Sequence, residues 1–126
     1  HEVVVEEDFL VYEEKNRVGD KDSMRFLKAG AKRSFFIITD DTHLPLAFDR
    51  LMTKIKSNVV MVCESNTLRQ WIVPGLFLMV SDAQQEGKKD QERMFAWADA
   101  VVPALDQIAF DYLISKIIIR RGKIVL

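Results

Sequence analysis

The sequence has few of the residues that usually build a dedicated chemical site. One cysteine among 126 residues excludes an internal disulfide, and two histidines, one of them at position 1, argue against a zinc site. His43 would be the sole base for a Ser/His/Asp or Cys/His pairing. Because Cys63 lies inside an apolar run without a neighbouring base, a hydrolase that uses its thiol is disfavoured.

Neither an excess of charge nor a long apolar run is present. Lys plus Arg total 18 against 19 for Asp plus Glu, so the formal charge of -1 gives no general attraction to nucleic acid or anionic lipid. No apolar stretch reaches the roughly 18 residues of a membrane span, and the acidic N-terminus is unlike a signal peptide. We therefore expect no nucleic-acid or membrane partner. A packed Cys63 thiol fits a cytoplasmic protein.

The 48% hydrophobic content is enough for one α/β domain over residues 1-126. Short β-rich runs near the N-terminus predict two strands or one bulged strand, and three continuous apolar runs predict buried strands. Between them lie segments with helical patterns. The predicted strands are 3–5, 9–12, 34–38, 58–63, 76–80 and a pair around Arg121-Gly122. The predicted helical segments are 23–30, a segment that Asp41 or Thr42 caps and that runs to Ile55, 67–72, 91–102 and 105–115.

This alternation predicts a mostly parallel sheet flanked by helices, with possible antiparallel edge strands at the two ends of the chain. The carboxyl ends of parallel strands share one edge, where ligands bind. Three predicted strands end there on polar residues, which are Thr39–Asp40–Asp41, Glu64–Ser65–Asn66 and Ser81–Asp82. Glu64 and Asp40 are therefore candidate Mg²⁺ ligands. The alternative is that the aspartates are ordinary turn and cap residues.

Cations near two predicted helices could contact a phosphate. Arg25 and Lys28 lie one turn apart in the first helix, and Arg69 follows a predicted cap at Ser65. A solvated helix face is the alternative reading of the same pattern.

The segment GDKDSMRFLKAGA, the strand after it and the later run VVMVCES resemble the P-loop NTPase family of molybdopterin-guanine dinucleotide biosynthesis protein B. The family has a Gly-Lys-Asp-Ser/Thr-x-Arg helix start that runs into Ala-Gly-Ala, and a later strand ending in Val-Glu-Gly. Residues 1 to 82 carry the resemblance, and its matching positions are Asp22, Ser23, Arg25, Ala29, Gly30, Ala31 and Glu64.

The resemblance implies a P-loop-NTPase-like fold that binds GTP or ATP with Mg²⁺ and assists a molybdopterin nucleotidyltransferase. Glu64 would orient the water shell of the metal as the catalytic residue, with Asp40 as a second ligand. Asp22, Ser23, Arg25, Ser65, Asn66 and Arg69 would line the nucleotide or pterin site.

This chain departs from the family at several positions. Phe26 stands where the family commonly has histidine, and Ser65 replaces the glycine after the glutamate. No G-x-x-x-x-G-K-[ST] segment is present, and the family places that loop on its first strand. Either an upstream phosphate-loop unit is missing from this chain, which is our first expectation, or the protein is a relative that never had the loop, and nucleotide hydrolysis is then not expected. In both cases we expect the chain alone to be at most a weak NTPase.

The rival hypothesis is a non-catalytic α/β interaction or assembly module. In this case an exposed edge strand or the LFLMV run at 76–80 would bury against another copy or a partner. Because an unpaired sheet edge promotes association, we expect a homodimer.

Overall fold

A computed structural model describes residues 1–82 and 89–126. The chain divides into two compact units, His1–Cys63 and Glu64–Leu126. Each unit contains both helices and strands, which confirms the α/β class.

The first unit is built on a three-stranded sheet. Its strands are β1 (Glu2–Val5), β2 (Phe9–Glu14) and β3 (Ser34–Thr39), and its helices are α1 (Asp22–Lys28) and α2 (Leu44–Met52). The sheet order is β1-β2-β3 and both pairings are antiparallel. The two β-rich runs near the N-terminus are thus separate strands, with an irregular register between Glu2 and Val4.

Strand β2 forms the centre of this unit because its side chains alternate between two environments. Phe9 and Val11 point to one face and pack against Ala47 and Leu51 of α2, and Val11 is fully buried. On the opposite face Tyr12 stacks on Phe36 of β3, with ring centroids 5.1 Å apart. A two-faced strand of this kind is stabilised by apolar burial on one side and cross-strand pairs on the other.

Gly30 and Pro45 mark helix ends as predicted, but the predicted cap of α2 at Asp41 or Thr42 is wrong. The N-cap residue is His43, and its side chain forms no capping hydrogen bond. Gly30 adopts φ +109°, the left-handed conformation in which glycine has no steric cost, and α1 ends just before it. Pro45 lies in the first turn of α2, where its missing N–H has no intrahelical partner to lose.

The second unit has a two-stranded parallel sheet and a separate hairpin. A 3₁₀ turn (Leu68–Gln70) precedes β4 (Leu78–Ser81) and α3 (Lys89–Trp97), and β5 (Ala100–Pro103) pairs parallel with β4. Helix α4 (Gln107–Lys116) leads to β6 (Ile118–Arg120) and β7 (Lys123–Val125). Arg121 and Gly122 both have positive φ between β6 and β7, the geometry of a tight hairpin turn, as predicted.

The prediction of a mostly parallel sheet is wrong. The main sheet is antiparallel, and among the described strands only β4 and β5 pair in parallel. The reason is local: three residues join β1 to β2, so they form a hairpin, and β3 returns on the other side of β2. A continuous apolar run shows that a segment can be buried, but it does not show in which direction its neighbour runs.

Two predicted elements also differ. Residues 58–63 do not form a strand. The predicted helix at 91–102 ends at Trp97, and Val101 and Val102 belong to β5, where β-branched side chains pack against β4. Among the described residues, no helix combines the length and the apolar character needed to cross a membrane.

Candidate functional site

Three of the predicted ligand-binding residues lie near the start of α1. One of them forms a hydrogen bond within the protein, and the other two form an ion pair with each other. Ser23 is buried, and its hydroxyl donates a hydrogen bond to Glu14 Oε1 at 3.0 Å. Asp22 and Arg25 form an exposed ion pair with 3.7 Å between Oδ1 and Nη1. Ser23 therefore links α1 to the end of β2, whereas Asp22 and Arg25 stay at the surface.

A charged cluster at the end of β2 holds a mostly buried carboxylate. Arg33 donates two hydrogen bonds to Glu13, at 2.8 and 3.1 Å, and Lys15 Nζ donates a third at 3.0 Å. These bonds, with Arg33 contributing most, lower the pKa of Glu13 to about 2. The Arg33 guanidinium also lies 4.8 Å from the centre of the Phe35 ring. This geometry anchors Arg33 against the sheet, which is a structural role.

Asp40, a predicted metal ligand, is instead paired with a histidine. It accepts hydrogen bonds from the His43 backbone N–H at 2.8 Å and from the His43 ring Nδ1 at 2.8 Å. The other ring nitrogen lies 3.5 Å from Asp8 Oδ2. These carboxylates raise the pKa of His43, with the hydrogen bond to Asp40 as the main cause, and His43 in turn lowers the pKa of Asp40.

The residues that follow the 58–63 run begin the second unit. Ser65 Oγ accepts hydrogen bonds from the backbone N–H groups of Thr67 and Leu68, at 3.2 and 3.0 Å, so it fixes the backbone that leads into the 3₁₀ turn. Glu64 and Asn66 are exposed. Glu64 forms no hydrogen bond or ion pair with any residue that the structure describes.

Arg69 lies between two aromatic rings. Its guanidinium carbon is 4.6 Å from the Trp97 ring centre and 5.6 Å from that of Phe77, and Nη1 donates a hydrogen bond to the Ile72 carbonyl at 3.2 Å. Its Nε is buried without a hydrogen-bond partner. The contacts with rings and backbone make Arg69 part of the packing of the second unit.

The carboxyl ends of β4 and β5 meet at one edge, which is the arrangement predicted for a ligand site. A cavity of about 290 Å³ there is lined by mainly apolar side chains, among them Val80, Val102 and Phe110. Asp106 accepts a hydrogen bond from the Ala109 N–H at 2.9 Å and so caps α4. Because a carboxylate already occupies this helix N-terminus, the edge does not favour an anionic ligand such as a phosphate.

The donor set for a divalent cation is sparse. Within residues 1–82 and 89–126, no group of three or more His, Cys, Asp or Glu side chains is arranged to hold a metal ion. Asp40 is hydrogen-bonded to His43, and Glu64 is exposed and has no hydrogen-bond or ion-pair partner among the described residues. The described side chains therefore do not fit a resident Mg²⁺ ion held by protein oxygens only.

The most unusual segment is the apolar run at 58–63. Val59, Val60 and Val62 are 51%, 55% and 72% exposed, although β-branched residues in a continuous run are typical of buried strands. No backbone hydrogen bond joins this run to the rest of the described chain. Within residues 1–82 and 89–126, its N–H and C=O groups therefore have no backbone partner.

Cys63 ends this run, and the prediction of a packed thiol is wrong because the residue is exposed. Partial desolvation still raises the pKa of the thiol, so Cys63 is protonated at neutral pH and is a poor nucleophile.

Sequence reasoning missed Arg33 and His43 as partners of carboxylates. The odd-numbered residues of β2 point to its buried face, and Glu13 is one of them. Because a buried carboxylate is costly without a partner, its position predicts a cation nearby. His43 follows Asp40 by three residues in a turn, a spacing at which the aspartate can bond to both the backbone and the ring. The exposure of 58–63 carries no such signal, because its pattern is that of a buried strand.

Comparisons with models of protein families, with curated proteins and with solved structures find no match to this chain.

Proposed function

We propose that this chain is a non-catalytic interaction module that binds an extended polypeptide strand along residues 58–63. The observation that carries the proposal is one run that combines exposed β-branched side chains with a backbone that forms no hydrogen bond to any described residue. Binding by strand addition uses main-chain hydrogen bonds for affinity and alternate side chains for specificity.

The side chains of this run favour burial on both faces of the new strand pair. In an extended backbone Val60 and Val62 point to one side, and Val59 and Met61 point to the other. Each exposed valine that a partner covers gains about 1 kcal/mol or more from apolar burial. A partner strand with apolar side chains therefore fits the run better than a polar ligand does.

The environments of the predicted nucleotide-site residues also support an interaction module. Ser23, Ser65 and Arg69 are held in contacts within the protein, so a phosphate would have to displace those contacts. Such displacement costs about the hydrogen-bond energy of each group that is lost.

Nucleotide binding is the second candidate, and the motif at 19–31 favours it. Asp22 and Arg25 remain at the surface, where a phosphate or pterin group can reach them. In this function the module would bind GTP or ATP with Mg²⁺, conditional on an upstream phosphate loop, and would serve a molybdopterin nucleotidyltransferase in the cytoplasm. Calorimetry with GTP, ATP and Mg²⁺, with Glu64→Gln as the variant, tests it.

A labelled peptide tests strand binding directly. The probe has the sequence of residues 56–64 with serine in place of Cys63, and fluorescence anisotropy measures its binding to the intact protein. We expect binding to the wild type and to Val60→Thr, which keeps the backbone N–H and the branched side chain. Val60→Pro removes that N–H and should bind at least about tenfold more weakly.

A peptide of the same composition in scrambled order is the control for non-specific apolar contact. Equal binding of the probe to the wild type and to Val60→Pro, or no binding to either, would refute the strand-addition proposal.

A further inference from the structure

We infer that the strand bound along 58–63 is the same run of a second copy, paired antiparallel around a two-fold axis at Val60. This inference rests on the proposed function and names its partner. A two-fold interface uses the same surface on both copies, so one exposed run can supply both halves. In this register Val60 faces its own symmetry mate, and Val59 faces Met61 of the other copy.

Charge complementarity selects this register. Lys56 precedes Val60 by four residues and Glu64 follows it by four residues. Antiparallel pairing around Val60 therefore places Lys56 of each copy opposite Glu64 of the other. Neither residue forms an ion pair or a side-chain hydrogen bond with the described part of its own chain. Opposite charges directly across a strand pair stabilise it.

Two alternative pairings of residues 56–64 lack this complementarity. A parallel pairing in register puts Lys56 against Lys56 and Glu64 against Glu64, and like charges in that position are destabilising. An antiparallel axis at Met61 puts Glu64 opposite Asn58, which leaves both charges unpaired across the strands.

Association requires one local change in the free chain. Ser57 and Asn58 form a turn that includes the first residue of the run. Both are exposed, so the turn can open and extend the strand back to Lys56, which directly follows Ile55, a residue packed against the core. The formal charge of -1 per chain adds little repulsion between two copies.

Single cysteines locate the two-fold axis. In a Cys63→Ser background, Val59→Cys, Val60→Cys and Met61→Cys are oxidised under mild conditions and resolved without reductant. Residues paired directly across antiparallel strands have Cα atoms about 4.5 to 5.5 Å apart, within the range that a disulfide spans. We expect Val60→Cys to form a linked dimer fastest. Faster linking of Met61→Cys, or equal linking of all three, would overturn the proposed register.

Charge exchange tests the pairing by a separate route. Sedimentation should show that Lys56→Glu and Glu64→Lys each weaken the dimer about tenfold, because each change makes two like-charge pairs. Mixing the two variants should restore a dimer of near wild-type affinity, since every cross-strand pair is then of opposite charge. Circular dichroism of each variant controls for folding.

The outcomes separate this inference from the proposed function. A wild-type protein that stays monomeric up to about 1 mM, or a mixture that does not recover, refutes the homodimer. If the peptide probe still binds in that case, the strand-addition function stands and the partner is another chain. If the probe does not bind either, both proposals fail.

Discussion

Strand β2 and the run at 58–63 are similar in sequence character but differ in structure. Both are short, rich in β-branched or aromatic residues and interrupted by few polar side chains. Strand β2 pairs on both edges, while the 58–63 run pairs with no described strand. The comparison teaches that a strand-like composition gives a segment only a preference for the extended conformation. The segment becomes a paired strand only where another strand lies close along the same chain or comes from another molecule.

The chain provides β2 with such neighbours at low entropic cost. Only residues 6–8 separate it from β1, so closing this hairpin requires a very short loop. The connection to β3 contains α1, which Ser23 ties to Glu14. The 58–63 run begins in the turn at Ser57 and Asn58 and precedes the 3₁₀ turn at Leu68–Gln70, and no described strand pairs with it.

The largest contrast should come from truncating one valine in each segment. Val11→Ala removes two buried carbons from the fully buried position of β2, and we expect it to lower the free energy of unfolding by about 2 kcal/mol. Val60→Ala acts on a 55% exposed side chain, and we expect a change of less than about 0.5 kcal/mol in dilute protein.

Urea unfolding at low protein concentration measures both values. A loss for Val60→Ala as large as that for Val11→Ala would show that the 58–63 run is already packed within one chain.

The second contrast is between the two cations that bind Glu13 at the end of β2, Arg33 and the more exposed Lys15. Arg33→Leu leaves the mostly buried Glu13 carboxylate with one cation, and we expect a loss of about 1–3 kcal/mol at pH 7. Lys15→Met is the control: its side chain is 65% exposed, so the expected loss is below about 1 kcal/mol.

The pH dependence of the same variants has a definite sign. The pKa of Glu13 is lowered from 4.5 to about 2, so its stabilising contribution is complete above 4.5 and is lost as the pH falls towards 2. The difference in unfolding free energy between wild type and Arg33→Leu should therefore shrink in that range. A constant difference from pH 7 to pH 2 would contradict the assigned ion pair.

The smallest expected effect is at the turn before α2. Asp40 holds His43, so the pKa of His43 is raised and that of Asp40 is lowered. The stabilising contribution of the pair is complete between 3.8 and 6.5, and it declines as the pH rises through the raised pKa of His43 or falls through the lowered pKa of Asp40.

An NMR titration of the His43 ring should show a lower pKa in Asp40→Asn than in the wild type. Asp8→Asn is the matched variant, and it should lower the pKa less because Asp8 lies 3.5 Å from the ring without a close hydrogen bond. Identical His43 pKa values in the wild type and Asp40→Asn would contradict the assignment.

Local signals in the sequence predicted much of the fold. Gly30 marked the end of α1, Pro45 marked the first turn of α2, and Arg121-Gly122 marked the final hairpin, because each residue acts on the backbone of its immediate neighbours. Strand direction was not predicted, since it depends on which segments meet. The apolar runs at 34–38 and 76–80 have the same character, yet β3 pairs antiparallel and β4 pairs parallel.

The predicted site depended on strand direction and so was less accessible to sequence reasoning. The edge of parallel strands exists at Ser81 and Pro103, but Asp40 follows a strand whose neighbour is antiparallel. The N-terminal end of β2 therefore lies beside Asp40, which is why Asp8 reaches His43. The nucleotide-binding roles of Asp22, Arg25 and Glu64 stay predictions of the family resemblance.

Residue-resolved amide hydrogen exchange tests the central claim, that the 58–63 run has an unpaired backbone in the single chain. In dilute protein, we expect the amides of 59–63 to exchange close to the rate of an unfolded chain, while those of β2 near Val11 are protected by about 10³-fold or more. Protection of 59–63 should then rise with protein concentration. Protection equal to that of β2 at the lowest concentration would contradict the claim.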